Sequence, residues 1–158
     1  MEEGNRRFNV VAFFVIAAIL ALFAYTAYSS GHPWSLTCYQ CRACNLNCPL
    51  GYDVAKFVVA AAVDDPDIYM SARNLQLRLD EAYSTDPDMT VEVDGERMTA
   101  GEAIERFGEG LVVEVRMLRV KDAAKYDPLE GACERSCPIE LPITDTIRDL
   151  KEDGVFNE

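Results

Sequence analysis

Histidine is nearly missing from this chain: its 158 residues include one, His32. That excludes metal sites built from several imidazoles and a heme held by two histidines. Cations are scarce as well, with 15 Lys plus Arg against 27 Asp plus Glu and a net charge of −12. A chain this acidic has no basic face with which to neutralise phosphates, so nucleic acid is not expected as a partner. There is no Gly-rich phosphate loop and no Ser/His/Asp set, so the chain is not expected to be catalytic on its own. Low-complexity sequence is lacking too. With 49% hydrophobic and 27% charged residues, the chain is neither disordered nor collagen-like, and its length suits one compact domain plus an accessory segment.

Acidic residues are absent between Gly4 and Tyr52, whereas the stretch from Asp53 to Glu158 holds 25 acidic and 12 basic residues. Inside the acid-free part, residues 8–28 (FNVVAFFVIAAILALFAYTAY) carry no charge. As a helix they would measure about 31 Å, close to the hydrocarbon thickness of a bilayer. Phe8, Phe13 and Phe14 lie towards one end and Tyr25, Tyr28 and Trp34 towards the other, and Gly31 and Pro33 break the helix. The pattern predicts a short tail (1–7), a single transmembrane anchor helix (8–30) in contact with membrane lipid through 8–28, and a soluble remainder. Arg6 and Arg7 precede the apolar run, which by the positive-inside rule leans the acidic part to the extracytoplasmic side of the cell membrane; the cytoplasmic side stays open, because unpaired cysteines suit a reducing compartment.

Cysteine is where the sequence is rich. Residues 38–49 read CYQCRACNLNCP, so four of the six cysteines fall in the spacing Cys38-x2-Cys41-x2-Cys44-x3-Cys48-Pro49. This is the bacterial ferredoxin run for a [4Fe–4S] cluster. A cubane needs thiolates converging on its corners, and cysteines every third residue let one loop wrap around it. Pro49 restarts the chain without leaving an N–H unpartnered. Zinc sites use two separated pairs, and a c-type heme needs CxxCH, which is not present. Arg42, inside the motif, can offset the negative charge of such a cluster.

A second group, Cys133-x3-Cys137-Pro138, is separated from Cys48 by 84 residues. In two-cluster ferredoxins the fourth cysteine of each run ligates the other cluster. The expected set for one [4Fe–4S] cluster is therefore Cys38, Cys41, Cys44 and Cys137. Cys48 and Cys133 should meet at a second position. Extending the spacing backwards from Cys133 lands on Glu130 and Asp127, where cysteines would be needed. The second position is left as a disulfide, as free thiols, or as a degenerate cluster or metal site completed by Asp127 and Glu130, with those two acids as ordinary surface carboxylates the simpler reading.

Between the motifs, 52–62 reads as a buried helix and 67–84 as a second helix, on the spacing of Ala72, Leu75, Leu79 and Tyr83. Residues 89–98 read as a β-hairpin turning at Asp94-Gly95. Thr99 and Glu102 form a capping box opening a helix to about Lys121, with Ile104, Phe107, Leu111, Val115 and Leu118 on one face. A last helix is expected over 142–151.

The stretches CYQCRACNLNCPLGYDVAKFV and CERSCPIELPITDTIRDL, about a third of the chain, resemble the ferredoxin-type iron–sulfur subunit of heterodisulfide reductase and related quinone- or heme-linked electron-transfer proteins. The resemblance implies a mainly α fold: an α-helical ferredoxin-type iron–sulfur domain (36–158) with an insertion at about 64–125 that contributes a small β-hairpin. It also implies an electron-transfer subunit of a larger respiratory or redox complex, relaying electrons between an iron–sulfur or cytochrome partner and a quinone- or heme-bearing membrane subunit. The family carries two clusters. Asp127 and Glu130 depart from its pattern, so one cluster is expected and a second remains open. The competing expectation is a structural or assembly subunit whose cluster or metal staples the fold.

Overall fold

A computed structural model describes residues 2–29 and 32–156, with the side chains of 2–8, 26, 27 and 36 outside the description. The elements in order are α1 (Glu2–Ser29), a 3₁₀ turn (Pro33–Thr37), α2 (Ala43–Leu46), α3 (Ala55–Val63), β1 (Tyr69–Ser71), β2 (Gln76–Arg78), α4 (Leu79–Thr85), β3 (Thr90–Val93), β4 (Glu96–Thr99), α5 (Ala100–Phe107), β5 (Val112–Arg119), α6 (Val120–Tyr126), α7 (Ala132–Arg135) and α8 (Ile143–Asp153).

The expectation of a mainly α fold is corrected by a five-stranded antiparallel sheet built from the insertion. β5 is its spine. β1 and β2 pair end to end along one side of it, and β3 lies on the other side with β4 beyond. The hairpin 89–98 is present, with Val91 opposite Met98 and Glu92 opposite Arg97. Its turn residues Asp94 and Gly95 both have positive φ, as a primed turn requires. The capping box is formed too: the Thr99 hydroxyl accepts from the Glu102 N–H at 3.1 Å while the Glu102 carboxylate accepts from the Thr99 N–H at 3.0 Å.

The helix expected to run to Lys121 stops instead at Phe107, because Gly108 and Gly110 take positive φ. Beyond them Val112, Val113 and Val115 belong to a strand. Val113 and Val115 point into the core while Val112 and Glu114 do not, the period-two alternation of a half-buried strand. A bulge at Thr90/Val91 lets Val91 face Val115. The helix expected over 67–84 is also replaced, by β1, β2 and the short α4. Met70 and Leu77 are the buried members of the two strands, and their β pairing with β5 outweighs the helical spacing of Ala72, Leu75 and Leu79 (tertiary context overriding local pattern).

The transmembrane helix is the second correction. Among the described residues no helix is long and apolar enough to cross a membrane. α1 opens on Glu2, Glu3, Arg6 and Arg7, so charge lies within its first two turns. The expected anchor helix over 8–30 falls on this finding.

The remaining helices bring the two cysteine motifs together. α3 and α8, each following a Cys-Pro turn, pack on one another, and α6 packs on both. Phe57, Val58, Ala60 and Ala61 of α3 meet Ile143, Ile147 and Leu150 of α8 in one core that also holds Val120, Ala123 and Ala124 of α6. His32 sits edge-on between Trp34 and Phe156, 5.8 and 5.7 Å between ring centres, fixing the entry to the first motif against the C-terminal segment.

Candidate metal centre

The two motifs are structural repeats displaced by 89 residues. In the first, Gln40 (φ 52°), Arg42 (φ 61°) and Gly51 (φ 64°) are left-handed; in the second, Leu129 (φ 56°), Gly131 (φ 66°) and Glu140 (φ 50°) are. All three pairs stand 89 apart. A left-handed non-glycine residue costs on the order of 1–2 kcal/mol, and four such residues recur here at matching places. Left-handed residues at every second position are the geometry in which backbone N–H groups gather into anion-binding concavities. Each loop ends in a one-turn helix (α2, α7) and a Cys-Pro turn closed by an N–H···O bond, Gly51 to Cys48 at 3.0 Å and Glu140 to Cys137 at 3.1 Å. At the junction the Asn47 amide donates to the Ser136 hydroxyl at 2.7 Å, and these residues are also 89 apart.

Side chains brace each loop from the first turn of the following helix. Asn45 Oδ1 accepts from the Val54 N–H at 2.9 Å and its amide donates to Asp53 at 2.8 Å. Its counterpart Glu134 accepts from the Thr144 N–H at 3.0 Å. Sequence reasoning missed Asn45, Asn47, Glu134 and Ser136. The signal that would have found them is the alignment of the two motifs across all positions rather than at cysteines alone.

The structure gathers the expected set at one pole. Cys38, Cys41, Cys44 and Cys137 line one cavity of about 350 Å³, its open mouth included. Cys44 is buried, Cys38 and Cys137 are half-buried and Cys41 is exposed. Val58 of α3, Ile143 of α8 and Leu141 form the apolar wall, and Arg42 borders the cavity. Burial, reinforced by the neighbouring sulfurs of Cys137, Cys38 and Cys41, pushes the Cys44 thiol up to about 11. Four thiolates crowded this way repel one another unless cationic metal is among them.

At the other pole the crossing is also present. Cys48 and Cys133 are both buried, 6% exposed. The neighbouring Cys133 thiol and the N–H of Tyr52, 3.3 Å from Cys48 Sγ, hold the Cys48 thiol down to about 6, while Cys133 is raised by its neighbour and by burial. Asp127 and Glu130 part company here. Asp127 is buried, which raises its carboxyl, and Oδ1 accepts from the Leu129 N–H at 2.8 Å. Glu130 is exposed. The expectation of two surface acids therefore holds for Glu130 and fails for Asp127.

The poles differ in kind. At the first, four cysteines line one cavity; at the second, two buried cysteines line separate openings. Among the described residues no group of three or more His, Cys, Asp or Glu is placed to hold a single metal ion. Thiolates of a cubane stand at its outer corners rather than around one point, so the first pole fits a cluster by its four converging thiols and its cavity, and a single ion fits neither pole. Of the tyrosines near the cysteines, Tyr39 is exposed beside the first pole. Tyr52 is buried with its hydroxyl on the Ala123 carbonyl at 3.2 Å, and Tyr126 is half-buried with its hydroxyl 3.2 Å from that of Thr85. No protein-family model matches the chain, and no curated protein and no solved structure does either.

Proposed function

We propose that the chain is a one-cluster electron-transfer subunit, holding a [4Fe–4S] centre through Cys38, Cys41, Cys44 and Cys137. The observation that carries this reading is the meeting of these four thiols at one cavity from segments nearly a hundred residues apart. When bound, such a cluster supplies a one-electron carrier whose potential depends on burial and on hydrogen bonds to sulfur. The chain's own residues do the rest. α3 and α8 fix Cys44 and Cys137 by burying Val58 and Ile143 behind them. Val58, Leu141 and Ile143 keep water from the inner side, while exposed Cys41 marks the edge through which an electron enters or leaves. Arg42 offsets part of the thiolate charge.

The net charge of −12 favours a basic docking partner, such as a cytochrome or another subunit of a redox complex, through long-range steering. Two poles with four thiols each would suit a relay through the chain. Four thiols at one pole and two at the other suit a terminal or branching carrier instead.

The test is Cys137→Ser on anaerobically purified protein, read by iron content and by the paramagnetic signal of the reduced state. Cys137→Ser is expected to lose the cluster as completely as Cys41→Ser, while Cys133→Ser keeps it. An intact cluster in Cys137→Ser would show that Cys48 is the fourth ligand and that the crossed arrangement is wrong.

A further inference from the structure

We infer that Cys48 and Cys133 form a reversible disulfide, a second redox centre of the chain that works by two electrons where the first works by one. The geometry stands on three observations. Each thiol comes from a different repeat, Cys48 just beyond α2 and Cys133 within α7, and these two short helices pack on one another. Asn47, next to Cys48, donates to Ser136, one turn beyond Cys133, at 2.7 Å, so the segments that carry the two thiols are joined beside them. Both sulfurs, although buried, border openings. Cys48 lies at the floor of a cleft flanked by Arg42, Arg73 and Asn74, and Cys133 lines a separate crevice with Asp127 and Thr144.

The oxidant is a low-molecular-weight disulfide entering the wider cleft. Cys48 sulfur attacks it, forming a mixed disulfide and expelling one thiolate. Cys133 sulfur then attacks the Cys48 sulfur, forming the internal bond and expelling the second thiolate. The two cysteine protons end on the two released thiols; the pair gives up two electrons and the oxidant takes them. A thiol reverses the sequence.

The bond has a consequence for the other pole. Cys44 and Cys48 lie one helical turn apart, as do Cys133 and Cys137. Joining Cys48 to Cys133 ties α2 to α7 and so fixes the spacing of Cys44 and Cys137 across the first cavity. The oxidised form is expected to release iron to a chelator more slowly than the reduced form.

The experiment equilibrates the full chain, purified anaerobically, in glutathione buffers of increasing oxidised fraction, followed by alkylation and peptide mapping by mass spectrometry. The expected result is loss of both thiols together, a mass decrease of two hydrogens, and one linked peptide pair carrying Cys48 and Cys133, restored by dithiothreitol and absent in Cys133→Ser. Both thiols remaining alkylatable at every ratio would overturn it. So would glutathione held on Cys48 without resolution, or Cys48 joined to Cys41 or Cys44. The mapping on the unaltered chain does not need any variant to fold. It is also read without reference to iron, so its failure leaves the cluster assignment standing, and a chain without iron leaves the disulfide testable.

Discussion

Arg119 closes β5 and opens α6, the helix that packs on both α3 and α8, and its replacement by Met gives the sharpest stability prediction. Its Nε lies 2.7 Å from Asp122 and 3.1 Å from Asp86, and Nη2 donates to the Thr85 carbonyl at 3.2 Å. Asp122 is wholly buried and the Asp86 side chain is 5% exposed. Met keeps the stem's volume and removes the charge, leaving two buried carboxylates short of a cation. Removing one partner of a buried pair costs about 3–5 kcal/mol. Lys125 remains 2.8 Å from Asp122 and the Tyr69 hydroxyl 3.0 Å from Asp86, which places the cost near the low end, about 3 kcal/mol. At roughly 2–4 °C per kcal/mol for a chain of this size, the thermal midpoint should fall by about 6–12 °C. The assay is thermal and urea unfolding followed by circular dichroism. Arg78→Met serves as the control: its pair with Asp80 is 63% and 41% exposed, and such pairs are worth about 0–1 kcal/mol. If Arg119→Met melts within about 2 °C of the unaltered chain, or no lower than Arg78→Met, the reasoning about buried charge fails.

Asp127→Asn should keep the full iron content and stabilise the fold at neutral pH. Burial raises the folded carboxyl above its unfolded value, so the native state retains a proton that the unfolded chain has released, and stability falls as pH rises between the two values. Asn removes that loss while still accepting from the Leu129 N–H; urea midpoints at pH 4 and pH 7 would check it, and loss of iron would make Asp127 a ligand. Gly51→Ala should destabilise by about 1–3 kcal/mol, because φ is +64° and an added Cβ would lie 2.8 Å from Arg73 Cβ; unfolding measurements would show it.

The grouping of the cysteines was legible because their spacing encodes three-dimensional crossing: Cys38, Cys41, Cys44 and Cys137 line one cavity, and Cys48 and Cys133 are both buried away from it. Chemistry at the second pole was less legible. Asp127 and Glu130 have the same composition-level reading, and only burial separates them. In the fold, local signals carried where they were chemically specific: Asp94-Gly95 made its turn, Thr99 and Glu102 made their cap, and the helices after both Cys-Pro turns formed. Periodicity misled in the insertion. Ile104, Phe107, Leu111, Val115 and Leu118 fit a helical face, yet Gly108 and Gly110 break it and Val113 and Val115 pair across a sheet. The apolar stretch before the first motif shows the same limit, since an uncharged run of the right length does not by itself make a membrane span.

The central claim is one cluster at one pole. Iron and acid-labile sulfide per polypeptide, measured on anaerobically purified full chain together with the paramagnetic spectrum of the reduced state, test it directly. A single occupied pole predicts about four irons, about four sulfides and a single non-interacting signal. About eight irons with interacting signals would contradict it by filling the second pole, and a chain that binds no iron with all six cysteines intact would contradict it at the first.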